Sequence, residues 1–146
     1  MSVNVTSTID IDRPRDEVAA FAANPDNVPA WYQNIKSVEW ETEPPLRVGT
    51  RVAFLAEFLG RRLAYTYVVA EHLPGERLVM RTSQGPFPME TRYEWRSTVT
   101  GGTRMLLTNR GEPRGFSRWI APFITVAMRR ANRKDLRLLK GILERG

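Results

Sequence analysis

Apolar residues recur at every second position through most of the chain as far as Gly111, and at every third or fourth position in the C-terminal segment. In VNVTSTIDI, residues 3–11, Val3, Val5, Ile9 and Ile11 share one face. DRPRDEVAAFAANPDN follows and reads as a short helix opened by Pro14, with Asp16 and Glu17 near its positive end. Asn24-Pro25 stops that helix and caps a second one that ends near AWYQN. IKSVEWET then alternates with Val38, Trp40 and Thr42 together, and RVAFLAEFLG sets Val52, Phe54, Ala56 and Phe58 on one side. A tight reversal at Gly60-Arg61 leads to a strand with Leu63, Tyr65, Tyr67 and Val69 in phase. After the LPGE turn, RLVMRTS aligns Leu78, Met80 and Thr82. FPMETRYEWRS alternates Phe87, Met89, Thr91, Tyr93 and Trp95 against Glu90, Arg92, Glu94 and Arg96. TRMLLTNRG closes the series with Met105, Leu107 and Asn109. Seven strands joined mainly by short turns predict an antiparallel sheet.

The period then changes. From about Phe116 to Glu144, residues Ile120, Phe123, Ile124, Ala127, Met128, Ala131, Leu138, Leu139 and Ile142 form one stripe at helical spacing. Counted from Pro122, such a helix is about 35 Å long, enough to cross the sheet. One long helix against one strongly curved sheet is an α+β arrangement. A single helix does not fill the hollow of such a sheet from end to end, so a cavity is expected. The two tyrosines on one inward face bear on this, because a buried hydroxyl without a partner costs roughly 1–3 kcal/mol. Either they are paired inside the protein or the interior holds something else.

The chain's 146 residues suit one domain, spanning 1–146, and 42% hydrophobic with 26% charged residues reads as soluble and globular. There is no cysteine, which excludes disulfides, thiol catalysis and thiolate metal sites, and the lone histidine, His72, argues against a His-based zinc site or a Ser–His triad. No metal or cofactor is expected. No signal peptide is visible and WIAPFITVAM is too short to span a bilayer, so the cytoplasm is the default location. The net charge of +6 is uneven: residues 1–113 hold 13 Lys/Arg against 14 Asp/Glu, and residues 114–146 hold 9 against 2. This basic segment reads first as a solvated helix face. It is also suited to transient contact with an anionic membrane surface or an acidic partner, whereas no nucleic-acid partner is expected. The oligomeric state is left open.

The order β-α-α-β₆-α resembles the START-like, or helix-grip, superfamily, in particular its polyketide cyclase/dehydrase and lipid-transport branch. IDRPRDEVAAFAANPDNVPAWYQNIKSVE looks like the first strand and paired helices of that family. PLRVGTRVAF looks like its glycine-led third strand, VAEHLPGERLVMRT like its turn and short strand, YEWRSTVTGGTRMLLTN like its penultimate hairpin, and DLRLLKGILE like its terminal helix. The resemblance implies a helix-grip fold, a curved seven-stranded antiparallel sheet wrapped around a long C-terminal helix with two short helices after the first strand. It also implies a small apolar ligand held under that helix, while members differ in function.

On such a fold the inward face lines the cavity. The candidate ligand-binding residues are Phe54, Phe58, Tyr65, Tyr67, Phe87, Met89, Tyr93, Trp95 and Asn109 from the sheet, and Phe123, Met128 and Asp135 from the helix. Tyr65, Tyr67 and Asn109 are the polar handles of a mostly apolar pocket. Asp135 lies near the centre of the apolar stripe, and the favoured reading pairs it with an arginine of the sheet or first helix; a ligand role and an exposed position are the alternatives. Trp119 and Val126 point away from the stripe. His72, beside a turn, reads as a solvated surface residue. Two functions follow: a carrier of a lipid- or polyketide-like molecule, or a cyclase/dehydratase in which Tyr65, Tyr67 or Asp135 moves protons. A protein-interaction module using the basic segment is a third.

Overall fold

The computed structural model describes residues 2–112 and 121–146, with Ala121 described by its backbone alone. Its strands are β1 (Val3–Ile11), β2 (Ile35–Trp40), β3 (Arg51–Phe58), β4 (Arg61–Leu73), β5 (Arg77–Gln84), β6 (Met89–Ser97) and β7 (Thr103–Gly111). The helices are α1 (Arg15–Ala23), α2 (Val28–Trp31) and α3 (Ala121–Arg145), with a 3₁₀ turn, Pro25–Asn27, between the first two.

Local chemistry sets the boundaries. Pro14 occupies the N-cap of α1, and its carbonyl accepts from the Glu17 and Val18 amides. Asn24 ends α1 and caps the 3₁₀ turn by accepting from the Asp26 amide. The β3–β4 reversal is a two-residue loop with both central residues left-handed, Leu59 at φ 51° and Gly60 at φ 76°. That geometry matches the twist of the flanking strands. Gly102 is required by close approach, since a Cβ there would lie 2.8 Å from the Ile11 carbonyl oxygen.

All strand pairs are antiparallel, in the order β1-β7-β6-β5-β4-β3-β2. The sheet curls about α3, which packs against β1. Register shifts at Ile35/Ser37, Thr66/Tyr67 and Val69/Glu71 mark bulges, which bend the strands that carry them. The main core joins Ile11, Val18, Trp31, Val52, Leu78, Met105 and Leu107 to the C-terminal half of α3 through Leu136, Leu139 and Leu143. Fully burying each such aliphatic side chain contributes roughly 1.5–3 kcal/mol. A smaller cluster, Val3, Val5 and Ile124 with Phe58 and Met128 against it, holds the first half of α3.

The inward face of α3 differs from the stripe expected from apolar spacing. Ile124, Asn132, Asp135, Leu136, Leu139 and Leu143 are buried, while Phe123 is 69% exposed and Val126 60%. Two polar residues therefore sit on the buried face and one large aromatic on the outer face. A reading that counts only apolar positions rotates the helix toward Phe123. The segment that includes Phe116, Trp119 and Ile120 lies outside the described residues.

Candidate functional site

A partly open cavity of about 100 Å³ lies between the first half of α3, the turn end of the β3–β4 hairpin and the start of β2. Of the sequence candidates, Phe58, Tyr65, Tyr67, Phe87, Met89, Asn109 and Met128 line it. Phe54, Tyr93 and Trp95 are buried in the main core and do not reach it. Phe54 backs the wall instead, with its ring centroid 5.6 Å from Tyr65 and 5.7 Å from Tyr67. Tyr93 packs on Trp31 and Trp95, and Trp95 borders a separate open groove with Trp40, Leu46 and His72. Phe123 turns to solvent. His72 is half-buried rather than solvated, and burial lowers its pKa.

Asp135 is the other correction. It is 2% exposed, so the exposed alternative fails, and among the described residues no arginine or lysine pairs with it within 4 Å. Its Oδ1 accepts from the Gln33 amide at 3.2 Å, and Oδ2 has no partner. Burial pushes its carboxyl up to about 6, against smaller opposing effects of the Gln33 hydrogen bond and Lys134. It borders a groove on the flank of α3, with Gln33 and Lys134, and not the main cavity.

The cavity's polar side is a chain of hydrogen bonds whose direction can be read from proton counting. Thr91 Oγ1 donates to Asn109 Oδ1 at 2.9 Å. A threonine hydroxyl has one proton, so in its 2.9 Å contact with the Tyr67 hydroxyl the tyrosine is the donor. Asn109 Nδ2 donates in turn to the Tyr32 hydroxyl at 2.8 Å. Tyr67, Thr91, Asn109 and Tyr32 thus form one directional run, and the proton of Tyr32 has no acceptor among the described residues. Tyr65, packed edge-on against Tyr67 at 4.9 Å between centroids, has no hydrogen-bond partner for its hydroxyl among the described residues. Burial raises the pKa of all three cavity phenols, to about 12 for Tyr67. They are therefore protonated at neutral pH.

Sequence periodicity did not find Tyr32 and Asn132. Tyr32 sits just after α2, where there is no repeating pattern, and Asn132 is a polar residue on the buried side of α3. Its spacing from Ile124 and Met128, at four-residue steps, was the available signal. Among the described residues no group of three or more His, Cys, Asp or Glu is placed to hold a metal, and no helix is long and apolar enough to cross a membrane.

A curled seven-stranded antiparallel sheet around a long C-terminal helix, with short helices after the first strand, defines the START-like, helix-grip class of proteins. The family model for polyketide cyclase / dehydrase and lipid transport matches residues 2–144, and the chain belongs to that family. Solved structures share the fold at low identity. A Thermus thermophilus protein is 18% identical with a TM-score of 0.78, the alignment covering 97% of this chain and 95% of that one. An aromatase/cyclase named Zhui, from a Streptomyces species, is 16% identical with a TM-score of 0.81 over 99% and 95% of the two chains. A START superfamily protein of Mycobacterium smegmatis is 14% identical with a TM-score of 0.80 over 97% of each. No curated protein sequence matches the chain significantly.

Proposed function

We propose that this protein binds a small apolar or aromatic molecule, lipid- or polyketide-like, in the cavity beside α3 and acts as a carrier or binding protein. The observation that carries this reading is the wall of Phe58, Leu63, Phe87, Met89, Ile124 and Met128 meeting the phenol of Tyr65, which has no hydrogen-bond partner among the described residues. An apolar pocket with a few placed polar groups suits a small ligand. Its volume of about 100 Å³ is below the about 150 Å³ of an apolar cavity that accepts benzene. The enclosed part of the ligand is then smaller than a full ring, such as a short acyl segment, with the remainder reaching out through the mouth. A cyclase/dehydratase needs a group that takes a proton near neutral pH. The phenols are held protonated, and Asp135, which titrates in that range, borders a different groove. The carrier reading is therefore preferred.

The same reading extends to the outer face of α3. Phe123 and Val126 are exposed there beside Arg129, Arg130, Arg133 and Arg137, none of which has a carboxylate partner within 4 Å among the described residues. Such a face suits transient contact with an anionic membrane surface during ligand exchange.

The direct test is mass spectrometry of an organic extract of protein purified gently from its native host. A stoichiometric apolar compound is expected. An empty extract, together with no uptake of small aromatic probes by the purified protein, would overturn the proposal.

A further inference from the structure

We propose that the open groove between α1, the end of β2 and the β4–β5 turn is a second binding site, on which an extended, proline-containing segment of a partner protein docks through an arginine. The groove has a volume of about 610 Å³ and shares no lining residue with the cavity beside α3, so the proposal is independent of the carrier reading. Its charge is opposite to that of the chain. Asp16 of α1 and Asp26 of the 3₁₀ turn line it, and among the described residues no Lys or Arg does, although the chain holds 22 Lys/Arg against 16 Asp/Glu. Neither carboxylate has a basic partner within 4 Å among the described residues. His72 does not offset them, because burial lowers its pKa and it is neutral at pH 7. A cationic occupant matches this lining.

Both carboxylates are positioned before anything binds. Asp16 Oδ1 lies over Gly75 in the β4–β5 turn, where a Cβ would come within 2.7 Å of it. Asp26 Oδ1 accepts from Trp40 Nε1 at 2.8 Å, which fixes the indole and leaves Oδ2 for a second donor. Arginine suits this arrangement better than lysine, since its planar guanidinium stacks on an indole and pairs with a carboxylate. The second requirement is an acceptor. Trp95, 3% exposed, forms part of the same groove, and its Nε1 has no partner among the described residues. A free backbone carbonyl supplies that acceptor, and the interior of a helix or sheet has none to spare, so the segment is extended. Proline keeps such a segment extended at little entropic cost and packs in aromatic-lined grooves. Leu46 and Ala20 complete the apolar wall against which it lies.

The test follows the tryptophan indole N–H resonances of the full chain by NMR during titration with the peptide acetyl-PPRPPRPP-amide. The control is the same peptide with citrulline for arginine, which keeps the shape of the side chain and lacks its charge. Saturable shifts of the Trp40 and Trp95 resonances are expected with the arginine peptide. The citrulline peptide should bind roughly three- to thirtyfold more weakly, the combined range of a cation–π contact and a surface ion pair. The double substitution Asp16→Asn and Asp26→Asn should weaken the arginine peptide and leave the citrulline peptide within twofold of wild type. Asp26→Asn keeps an acceptor for Trp40 Nε1, so the groove stays intact. No saturable shift with the wild-type protein overturns the proposal, as does equal affinity for the two peptides or indifference to the double substitution. Shifts of Trp40 and Trp95 on raising the protein concentration without peptide would assign the groove to a second copy of this chain and overturn it as well.

Discussion

Tyr67 donates its phenolic proton to Thr91 across 2.9 Å, whereas Tyr65, on the same face of β4, has no such partner among the described residues. The two phenols that alternate side by side along one strand are thus different in kind. One is part of the protein's internal hydrogen bonding, and the other faces the cavity unpaired.

That difference predicts opposite responses to removal of one oxygen atom. Tyr67→Phe strips Thr91 of its donor in a buried site and should lower stability by about 1 kcal/mol. Tyr65→Phe removes no intramolecular bond and should stay within about 0.5 kcal/mol of wild type. Urea denaturation of both variants checks this. Equal destabilisation would show that the two hydroxyls are not distinct.

Asp135 makes stability depend on pH. Its folded carboxyl is pushed up to about 6, above an unfolded value near 4. At pH below 4 both states hold the proton and burial carries no ionic penalty. As pH rises from 4 through 6 the unfolded chain ionises first, so wild type loses stability, and the loss is complete above 6. Asp135→Asn keeps an acceptor for the Gln33 amide and does not ionise. It should match wild type near pH 4 and exceed it by roughly 2–3 kcal/mol at pH 7.5, by the size of the shift. A stability difference that does not grow with pH would refute the assignment.

Gly85 supports the cavity wall from behind. A Cβ there would come within 2.9 Å of Tyr65 Cβ and 3.0 Å of Thr82 Cγ2. Gly85→Ala should cost about 1–3 kcal/mol through overpacking and displace Tyr65 toward the cavity. Weaker uptake of aromatic probes with a lower melting temperature is expected. Unchanged values for both would mean the wall is soft.

Leu59 holds a left-handed conformation at an exposed hairpin position that favours Asn or Gly. Leu59→Asn should raise stability by about 0.5–1 kcal/mol. Thermal unfolding reads this directly, and a destabilised variant would count against the turn geometry.

The outer face of α3 can be tested with vesicles of phosphatidylglycerol in phosphatidylcholine. Binding should fall with salt, and replacing Arg129, Arg130 and Arg133 by Gln should weaken it by on the order of 1 kcal/mol per cation. Salt-insensitive or unchanged binding would remove the membrane role from the proposal.

The strands were legible because alternation is a local property. Val52, Phe54 and Ala56, or Met105, Leu107 and Asn109, face inward in the observed sheet as their spacing requires. Pro14, Asn24 and Gly60 marked their boundaries for equally local reasons, a fixed φ, a side-chain cap and a left-handed turn. The order of these elements was enough to recognise the helix-grip fold. Tertiary structure alone decided what the inward residues meet. Tyr93 and Trp95 alternate as regularly as Thr91, yet they pack into the core because α1 and Trp31 cover that part of the sheet. The rotation of α3 was likewise not set by the spacing of its apolar residues alone, but by which of them meet the core. It buries Asn132 and Asp135 and exposes Phe123, because the packing of Leu136, Leu139 and Leu143 into the main core outweighs one exposed aromatic. Hydrogen-bond direction at the cavity depends on four residues from α2's end, β4, β6 and β7 meeting at one place. Spacing along the chain carries no information about such contacts, since each is made between positions far apart in sequence and fixed by the curl of the sheet.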